Sequence, residues 1–572
     1  VITTESFSIA GQAWDVRAAI MEAITFTDIF NILIFVTFIL FGIVYNKKMQ
    51  MGLGESKVTF AADKIAGILF FLLAIYSYNI AFYIPKRYVI ITSDHKIHVS
   101  EKEIRYKGTM IFKPDYEASD SIYAETFGII NFHIKNFADA IKDQIQSNAY
   151  KKAGPPEHLY SFFDRKKKIN KTKSPFYGIA KGRNVFLIHF EALHPIVIGL
   201  NLNGIPITPT LNNLIQKNFY WNYIIDQVTI GGSSDAEFES ITGMLPSTKQ
   251  VSALNTSHMP HIPSLPRALK TKGYQTISLH GYDSSFWKRN ISHPLLGFEK
   301  MYFKESYKLK TKIGIGISDK EFFSQSIDLL GNHQIPFFAF LITLSSHVPY
   351  NDLPEEYQQL FNQDIESDPM LTQYFQAIRY TDDALGEFFS KIKQSGLWGN
   401  SIFVIYGDHR PGGNKEMNEA LVKITGKSLY SPRFSCVPIF VVIPGQESLI
   451  LKYKDTYQNT VGGLYDIFPT IMHLLGHDVP FGVFGSHLFV PNIKREPIPV
   501  FRFSDSFVFD GIQYREQGNR ISKDDMGIIF TNNEEAVIKT KSKRFILYKK
   551  ALMATGYCNY VINSDTDIAS LK

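Results

Sequence analysis

The sequence predicts an α/β domain in which helices flank a largely parallel β-sheet. Two observations predict it. Five short apolar runs rich in strand-forming residues recur between residues 184 and 443, separated by tens of residues. Such intervals leave room for the crossover helices that parallel strands require. Four of the runs are followed by residues of types that bind metals or phosphate. In open α/β sheets, ligands bind at the carboxyl ends of strands.

The runs are "NVFLIHF" (184–190), "QTISL" (275–279), "FFAFLITL" (337–344), "SIFVIY" (401–406) and "PIFVVI" (438–443). They are nearly continuous in apolar character, as strands covered on both faces are. After the first comes Glu191. After the second comes "HGYDSSFWKR", with His280, Trp287 and Arg289. After the third comes "SSHVPY", with His347, and after the fourth "GDHR", with Asp408 and His409. Singly, each has a plainer reading: a cap for Glu191, a core position for His280, packing for Trp287, a surface ion pair for Arg289, a turn for His347. Together, at successive strand ends, they make a convergent constellation. Asp408–His409 is its strongest pair, since a hard carboxylate beside an imidazole suits a divalent transition metal.

The stretch "TIGGSSDAEFESITG" (229–243) reads as a loop entering a helix. Ser234 and Glu237 have capping-box spacing, which predicts a helix from Asp235 toward Met244 that stops before Pro246. Asp235 and Glu237 suit the positive end of the helix dipole. Ser233 then falls just outside the helix, and Gly231 and Gly232 permit close approach of a ligand. A phosphate bound there meets positive backbone polarity. No general base is obvious beside Ser233. A metal held by Glu191, Asp408 and His409 supplies that role by lowering the hydroxyl pKa.

The rest of the chain divides by composition. Its 572 residues exceed what one core usually holds. Ile29–Tyr45 and Ile65–Ile84 are uncharged apolar runs; about 20 such residues span a bilayer, with roughly 17 the lower limit. Residues 1–84 therefore read as a membrane anchor with two transmembrane helices. Lys47, Lys48, Lys57 and Lys64 between the runs place that loop in the cytoplasm and the remainder outside. On this topology Val1 also lies outside, which predicts an odd number of spans upstream. Residues 85–180 read as a juxtamembrane linker, including the basic, turn-rich run "DRKKKINKTKSPFYGIAKGRN". Residues 181–495 form the catalytic-size domain. Residues 496–572, with "SFVFDGIQYRE" and "RFILYKK", suggest a small β-rich subdomain. The net charge of +6 is modest for this length and does not support nucleic-acid binding. Two distant cysteines, Cys436 and Cys558, cannot build a disulfide framework or a cysteine metal cluster.

The segments "NVFLIHFEALH", "GGSSDAEFESITGMLPS", "HGYDSSFWKRN", "SSHVPY", "YGDHRPGG", "VPIFVVIPG" and "GLYDIFPTIMHLLGHD" resemble, in order, the lipoteichoic acid synthases and phosphoglycerol transferases of the sulfatase/alkaline-phosphatase superfamily. The resemblance covers roughly residues 184–490. It implies a sulfatase/alkaline-phosphatase-like fold. It also implies a divalent metal, manganese before magnesium or zinc, held by Glu191, Ser233, Asp408 and His409. Ser233 becomes the nucleophile, where the family usually carries threonine. His280, Trp287, Arg289 and His347 become the phosphoglycerol-binding residues, and His347 also a proton donor to the leaving oxygen. The maturation signature of formylglycine sulfatases, Cys/Ser-x-Pro-x-Arg, is missing from "SSDAE".

The expectation is a phosphotransferase of the bacterial cell membrane, multi-pass, with an extracytoplasmic catalytic domain. It moves glycerophosphate from a phosphatidylglycerol-type lipid to a polyglycerolphosphate or glycan acceptor, through a covalent intermediate on Ser233. A phosphoethanolamine transferase or phosphodiesterase on the same fold is the first alternative. A catalytically silent membrane-anchored binding protein is the second, against which the intact Glu191, Ser233, Asp408 and His409 argue.

Overall fold

Eight strands form the central sheet of a computed structural model. In chain order they are β1 (Asn184–Phe190), β2 (Phe219–Ile225), β3 (Gln275–His280), β4 (Lys300–Tyr302), β5 (Phe337–Ile342), β6 (Ser401–Gly407), β7 (Cys436–Val442) and β8 (Gly462–Gly463). The structure describes residues 88–91, 97–100, 145, 147–228, 232–246, 261–331, 333, 336–358, 368–429, 436–500, 506–510, 512–515 and 541–564. Two compact units divide the chain, Val1–Lys142 and Asp143–Lys572. In the first, Tyr88–Ile91 pairs antiparallel with Ile97–Ser100. The expected spans Ile29–Tyr45 and Ile65–Ile84 lie outside the described residues. No helix among the described residues is long and apolar enough to cross a membrane.

The sheet order is β8-β2-β7-β6-β1-β5-β3-β4. All pairings are parallel except those of β7, which runs opposite to both β6 and β2. The sheet is therefore mixed: largely parallel as expected, with β7 reversed. A strand buried on both faces carries the same apolar pattern in either direction, so composition does not reveal the reversal of β7.

Alternation along the strands builds two cores. Val185 and Leu187 of β1 face one layer, and Phe186, Ile188 and Phe190 face the other. Phe338, Phe340 and Ile342 of β5 likewise oppose Phe337, Ala339 and Leu341. The first layer includes Phe238 and Ile241 of helix α2 (Ser233–Thr242). The second includes buried residues of the helix Asp319–Leu330 and of the 26-residue helix Pro369–Gln394.

The basic run expected to be linker begins inside helix α1 (Leu159–Asn170). Leu159, Phe162, Phe163 and Lys166 recur at helical spacing and are buried, and the Lys166 ammonium lies 5.0 Å from the Phe484 ring centre. Burial pulls the Lys166 amine down to about 8 against the attraction of Asp466. Beyond α1, the backbone N–H groups of Gly178 and Ala180 donate to the carbonyls of His473 and Leu474, so this segment is tied to the domain.

At the C-terminal end, Ile498–Val500, Ser506–Phe509 and Ile512–Arg515 form a three-stranded antiparallel sheet. "RFILYKK" is not a strand. It lies in the helix Lys541–Asn563, where Leu547, Ala551, Ala554, Cys558 and Val561 are buried at alternating intervals of four and three. Ala554, Cys558 and Val561 join the first core layer. The expected β-rich subdomain is thus a small sheet accompanied by a long helix.

Candidate active site

The parallel strands deliver their carboxyl ends to one edge of the sheet. Register places His280 opposite Ile342, Ile342 opposite His189, and His189 opposite Tyr406. The residues just beyond this row form the candidate site.

Glu191 follows β1 and is 3% exposed. Its backbone N–H donates to Thr343 Oγ1 at 3.0 Å, and its carbonyl accepts from Ser346 Oγ at 2.7 Å. Asp408 follows β6 and is fully buried. Its Oδ1 accepts from the N–H groups of Ala192 (2.8 Å) and His409 (2.7 Å). Gly407 precedes it where any Cβ would lie 2.0 Å from the Leu193 carbonyl oxygen, so glycine is required.

Helix α2 opens at Ser233, with Gly232 as its N-cap at φ 54°. That left-handed conformation favours glycine. Ser233 Oγ donates to Glu191 Oε2 at 3.0 Å and lies 3.2 Å from His409 Nε2. His409 Nε2 lies 3.3 Å from Asp408 Oδ2 and 3.5 Å from Glu191 Oε1. The other ring nitrogen, Nδ1, donates to the Arg410 carbonyl at 2.8 Å. That bond turns Nε2 toward two carboxylates and a hydroxyl, as a backbone carbonyl on the far nitrogen commonly does for a metal-binding imidazole.

The electrostatics fit a cation. Burial disfavours a charged His409 ring, yet Asp408 and Glu191 outweigh it and raise the imidazole to about 9. Burial and then Asp408 push the Glu191 carboxyl up. Asp408 is held low despite burial, by His409 and His189. Two carboxylates, an imidazole and a hydroxyl form a donor set that a divalent ion fits. His189, Glu191 and Asp408 also offer ligand atoms within 4.8 Å of one another.

His189 is not among the residues that the sequence predicts for the site. Its Nε2 donates to Asp408 Oδ2 at 3.0 Å, and its Nδ1 lies 2.9 Å from the Tyr406 hydroxyl. Tyr406 in turn lies 2.9 Å from Ser240 Oγ on α2. A usable signal existed: His189 stands two residues before Glu191 along an extended chain, and so on the same face.

The predicted capping box does not form. Ser234 lies inside α2, whose N-cap is Gly232, a residue with no side chain to cap the helix. Glu237 is fully buried and turns to distant partners. Its Oε2 accepts from Arg289 Nε at 3.0 Å, and its Oε1 from His293 Nε2. Opposite charge at a buried site outweighs a local cap. Burial alone would raise the Glu237 carboxyl, but Arg289 and His293 hold it at about 2.

The residues expected to bind phosphoglycerol are placed as follows. His280 is buried, with Nδ1 donating to the Ile342 carbonyl at 3.1 Å. Burial, then Arg289, lowers its imidazole well below the ordinary range. Arg289 is 2% exposed and opens helix α3 (Arg289–Leu296). Trp287 is half-buried at φ 56° and its ring lies 5.2 Å from that of Phe286. His347 is half-buried, and its Nδ1 donates to the Val348 carbonyl at 2.6 Å. Its charge acts on Glu191. Asp319, at the start of helix α4 (Asp319–Leu330), accepts from the N–H groups of Leu344 (2.9 Å) and Ser345 (3.0 Å) and so holds the loop that carries His347. Arg410 reaches the Leu429 carbonyl at 3.4 Å. Gly231 lies outside the described residues.

A family model described as Sulfatase matches residues 183–477, just over half of the chain. The chain belongs to the sulfatase family. Among curated relatives of this sulfatase-family chain, lipoteichoic acid synthase 1 of Bacillus subtilis (strain 168) is 34% identical over 332 residues, covering 56% of this chain and 50% of that protein. The lipoteichoic acid synthase of Staphylococcus aureus (strain bovine RF122 / ET3-1) is 30% identical over 423 residues, covering 72% and 62%. The chain thus spans less than two thirds of the length of either relative. The crystal structure of the lipoteichoic acid synthase LtaP from Listeria monocytogenes superposes with a TM-score of 0.59 at 26% identity, covering 70% of this chain and 98% of that one.

Proposed function

We propose that this sulfatase-family chain is a metal-dependent phosphoglycerol transferase that works through a covalent intermediate on Ser233. The carrying observation is the position of Ser233 Oγ, 3.0 Å from Glu191 and 3.2 Å from His409, at the first residue of a buried helix. A nucleophile placed there faces the donor set on one side and the positive end of the helix on the other.

Glu191, Asp408, His409 and Ser233 would hold the metal, manganese by preference. Such an ion, when bound, lowers the pKa of the Ser233 hydroxyl and neutralises phosphoryl charge. The remaining chemistry belongs to the chain's own residues. Ser233 Oγ gives up its proton to solvent and attacks the phosphorus of phosphatidylglycerol. An Oγ–P bond forms, the P–O bond to diacylglycerol breaks, and glycerophosphate stays on Ser233. Arg289, steadied through Nε by Glu237 and through Nη1 by the Phe286 carbonyl, presents Nη2 to a phosphoryl oxygen. His347 Nδ1 is engaged with Val348, so Nε2 is the nitrogen that delivers a proton to the leaving oxygen. An acceptor hydroxyl on polyglycerolphosphate or a glycan then takes the group and frees Ser233. His280 and Trp287 take part in recognising the phosphoglycerol headgroup.

A lipid donor accords with the two apolar runs near the N-terminus and with an extracytoplasmic site on a membrane-anchored chain. The relatives named lipoteichoic acid synthase support the transfer class. Labelled phosphatidylglycerol and phosphatidylethanolamine, each incubated with the full chain and Mn2+, test the reading. Release of diacylglycerol from the first lipid alone, lost in Ser233→Ala, is expected. Turnover of phosphatidylethanolamine alone, or turnover unchanged in Ser233→Ala, contradicts it.

A further inference from the structure

Five lysines and one carboxylate, Glu305, occur between Lys300 and Lys312. The loop Lys304–Lys312 follows β4 and borders the candidate site, because Lys304 N–H donates to the carbonyl of Tyr282, two residues past His280. Lys304, Lys308, Lys310 and Lys312 are exposed, and among the described residues no carboxylate pairs with them. At the centre of the loop stands Leu309, 54% exposed.

The loop is held in this form. Gln325 of α4 grips Lys308 at both backbone groups, accepting from its N–H at 2.7 Å and donating to its carbonyl at 2.9 Å. Glu321 of the same helix accepts from Lys310 N–H at 3.0 Å. These two anchors fix the backbone on either side of Leu309. The leucine is thereby presented to solvent, with exposed Lys308 and Lys310 as its neighbours in sequence.

A second apolar edge lies on α3. Its buried face carries Arg289 and His293, while Ile291 (56% exposed) and Leu295 (37% exposed) point outward one turn apart. The Tyr282 ring packs on Phe286 just before α3, so one residue joins the loop and the helix entry.

We infer that the Lys304–Lys312 loop docks this domain on an anionic lipid surface, with Leu309 entering the headgroup layer and the flanking lysines neutralising lipid charge. The inference rests on the proposed use of a lipid donor. Charge complementarity selects an anionic partner. Exposed leucine at the centre of the loop selects a lipid interface over a soluble polyanion, which would leave it wetted. Docking there turns the strand-end edge of the sheet toward the donor.

A fluorescent label tests this without reference to catalysis. Cys436 and Cys558 are both buried, so Leu309→Cys gives a single accessible thiol for an NBD probe. The labelled full chain is reconstituted in phosphatidylcholine vesicles with and without phosphatidylserine. A blue shift and quenching by a lipid-borne quencher are expected only with phosphatidylserine, reversed by high salt and by added Lys308→Glu and Lys310→Glu. A probe at Leu451, exposed on the helix after β7 at the opposite end of the sheet, stays unchanged. No shift at 309, or an equal shift in both vesicles, overturns the inference. A shift only with phosphatidylglycerol assigns the contact to the donor, and one only on adding polyglycerolphosphate assigns it to the acceptor; either also overturns it. The proposed reaction survives each of these failures.

Discussion

Glu237 Oε2 and Arg289 Nε form a buried ion pair at 3.0 Å, linking the helix that begins at Ser233 to the helix that begins at Arg289. His293 binds the other oxygen of Glu237, and its Nδ1 reaches Ser278 Oγ of β3 at 2.8 Å. The candidate nucleophile and a candidate phosphate ligand are therefore set by one carboxylate that need not touch substrate.

Replacing that carboxylate leaves Arg289 buried without its counter-charge. Glu237→Gln is expected to destabilise the fold by about 3–5 kcal/mol near neutral pH, the usual cost of removing one partner of a buried pair. The sign with pH follows from the depressed carboxyl. Its stabilisation is complete above the unfolded value of 4.5 and fades as pH falls toward about 2. Chemical denaturation of both proteins across that range measures the difference, which should shrink as acid is added. A constant difference contradicts the assignment.

His189 spans Asp408 and Tyr406. As an orienting residue, its loss weakens the metal site rather than deleting it. His189→Gln is expected to reduce Mn2+ affinity by about 10–100-fold, whereas Asp408→Ala abolishes measurable binding. Titration calorimetry on the full chain reads both. Unchanged affinity in His189→Gln removes the orienting role.

His473 and His487 stack with ring centres 4.0 Å apart and fasten the segment after α1. His473 Nε2 lies 2.8 Å from Ser174 Oγ, and His487 Nε2 donates to the Thr172 carbonyl at 2.9 Å. Burial lowers His473 to about 4; burial and then His473 lower His487 to about 2. Because the folded state resists protonation, their contribution is full above 6.5 and falls as pH drops below it. By pH 5 the loss should reach on the order of 1–2 kcal/mol per histidine. Thermal unfolding between pH 7 and 5 should show a falling midpoint, with a smaller slope in His487→Gln. Equal slopes contradict this account.

Much of the fold was legible because buried strands are continuous apolar runs. Asn184–Phe190 agrees with its expected bounds to the residue. Phe219–Ile225 was missed because Asn222 interrupts it and Tyr220 and Tyr223 are only half-buried. The residues gathered around Ser233 were legible as strand ends. The partners of Glu237 were not, since they lie 52 and 56 residues away and a serine three residues before a glutamate mimics a cap. Helix α1 was hidden by its lysines, although its phenylalanines carry the helical period.

Mass spectrometry of Ser233 after the full chain meets phosphatidylglycerol and Mn2+ tests the central claim most directly. The account predicts a glycerophosphate adduct on the peptide containing Ser233, formed without acceptor and lost when a polyglycerolphosphate acceptor is added. Diacylglycerol release with Ser233 unmodified at every time point, or an adduct on a different residue, contradicts it.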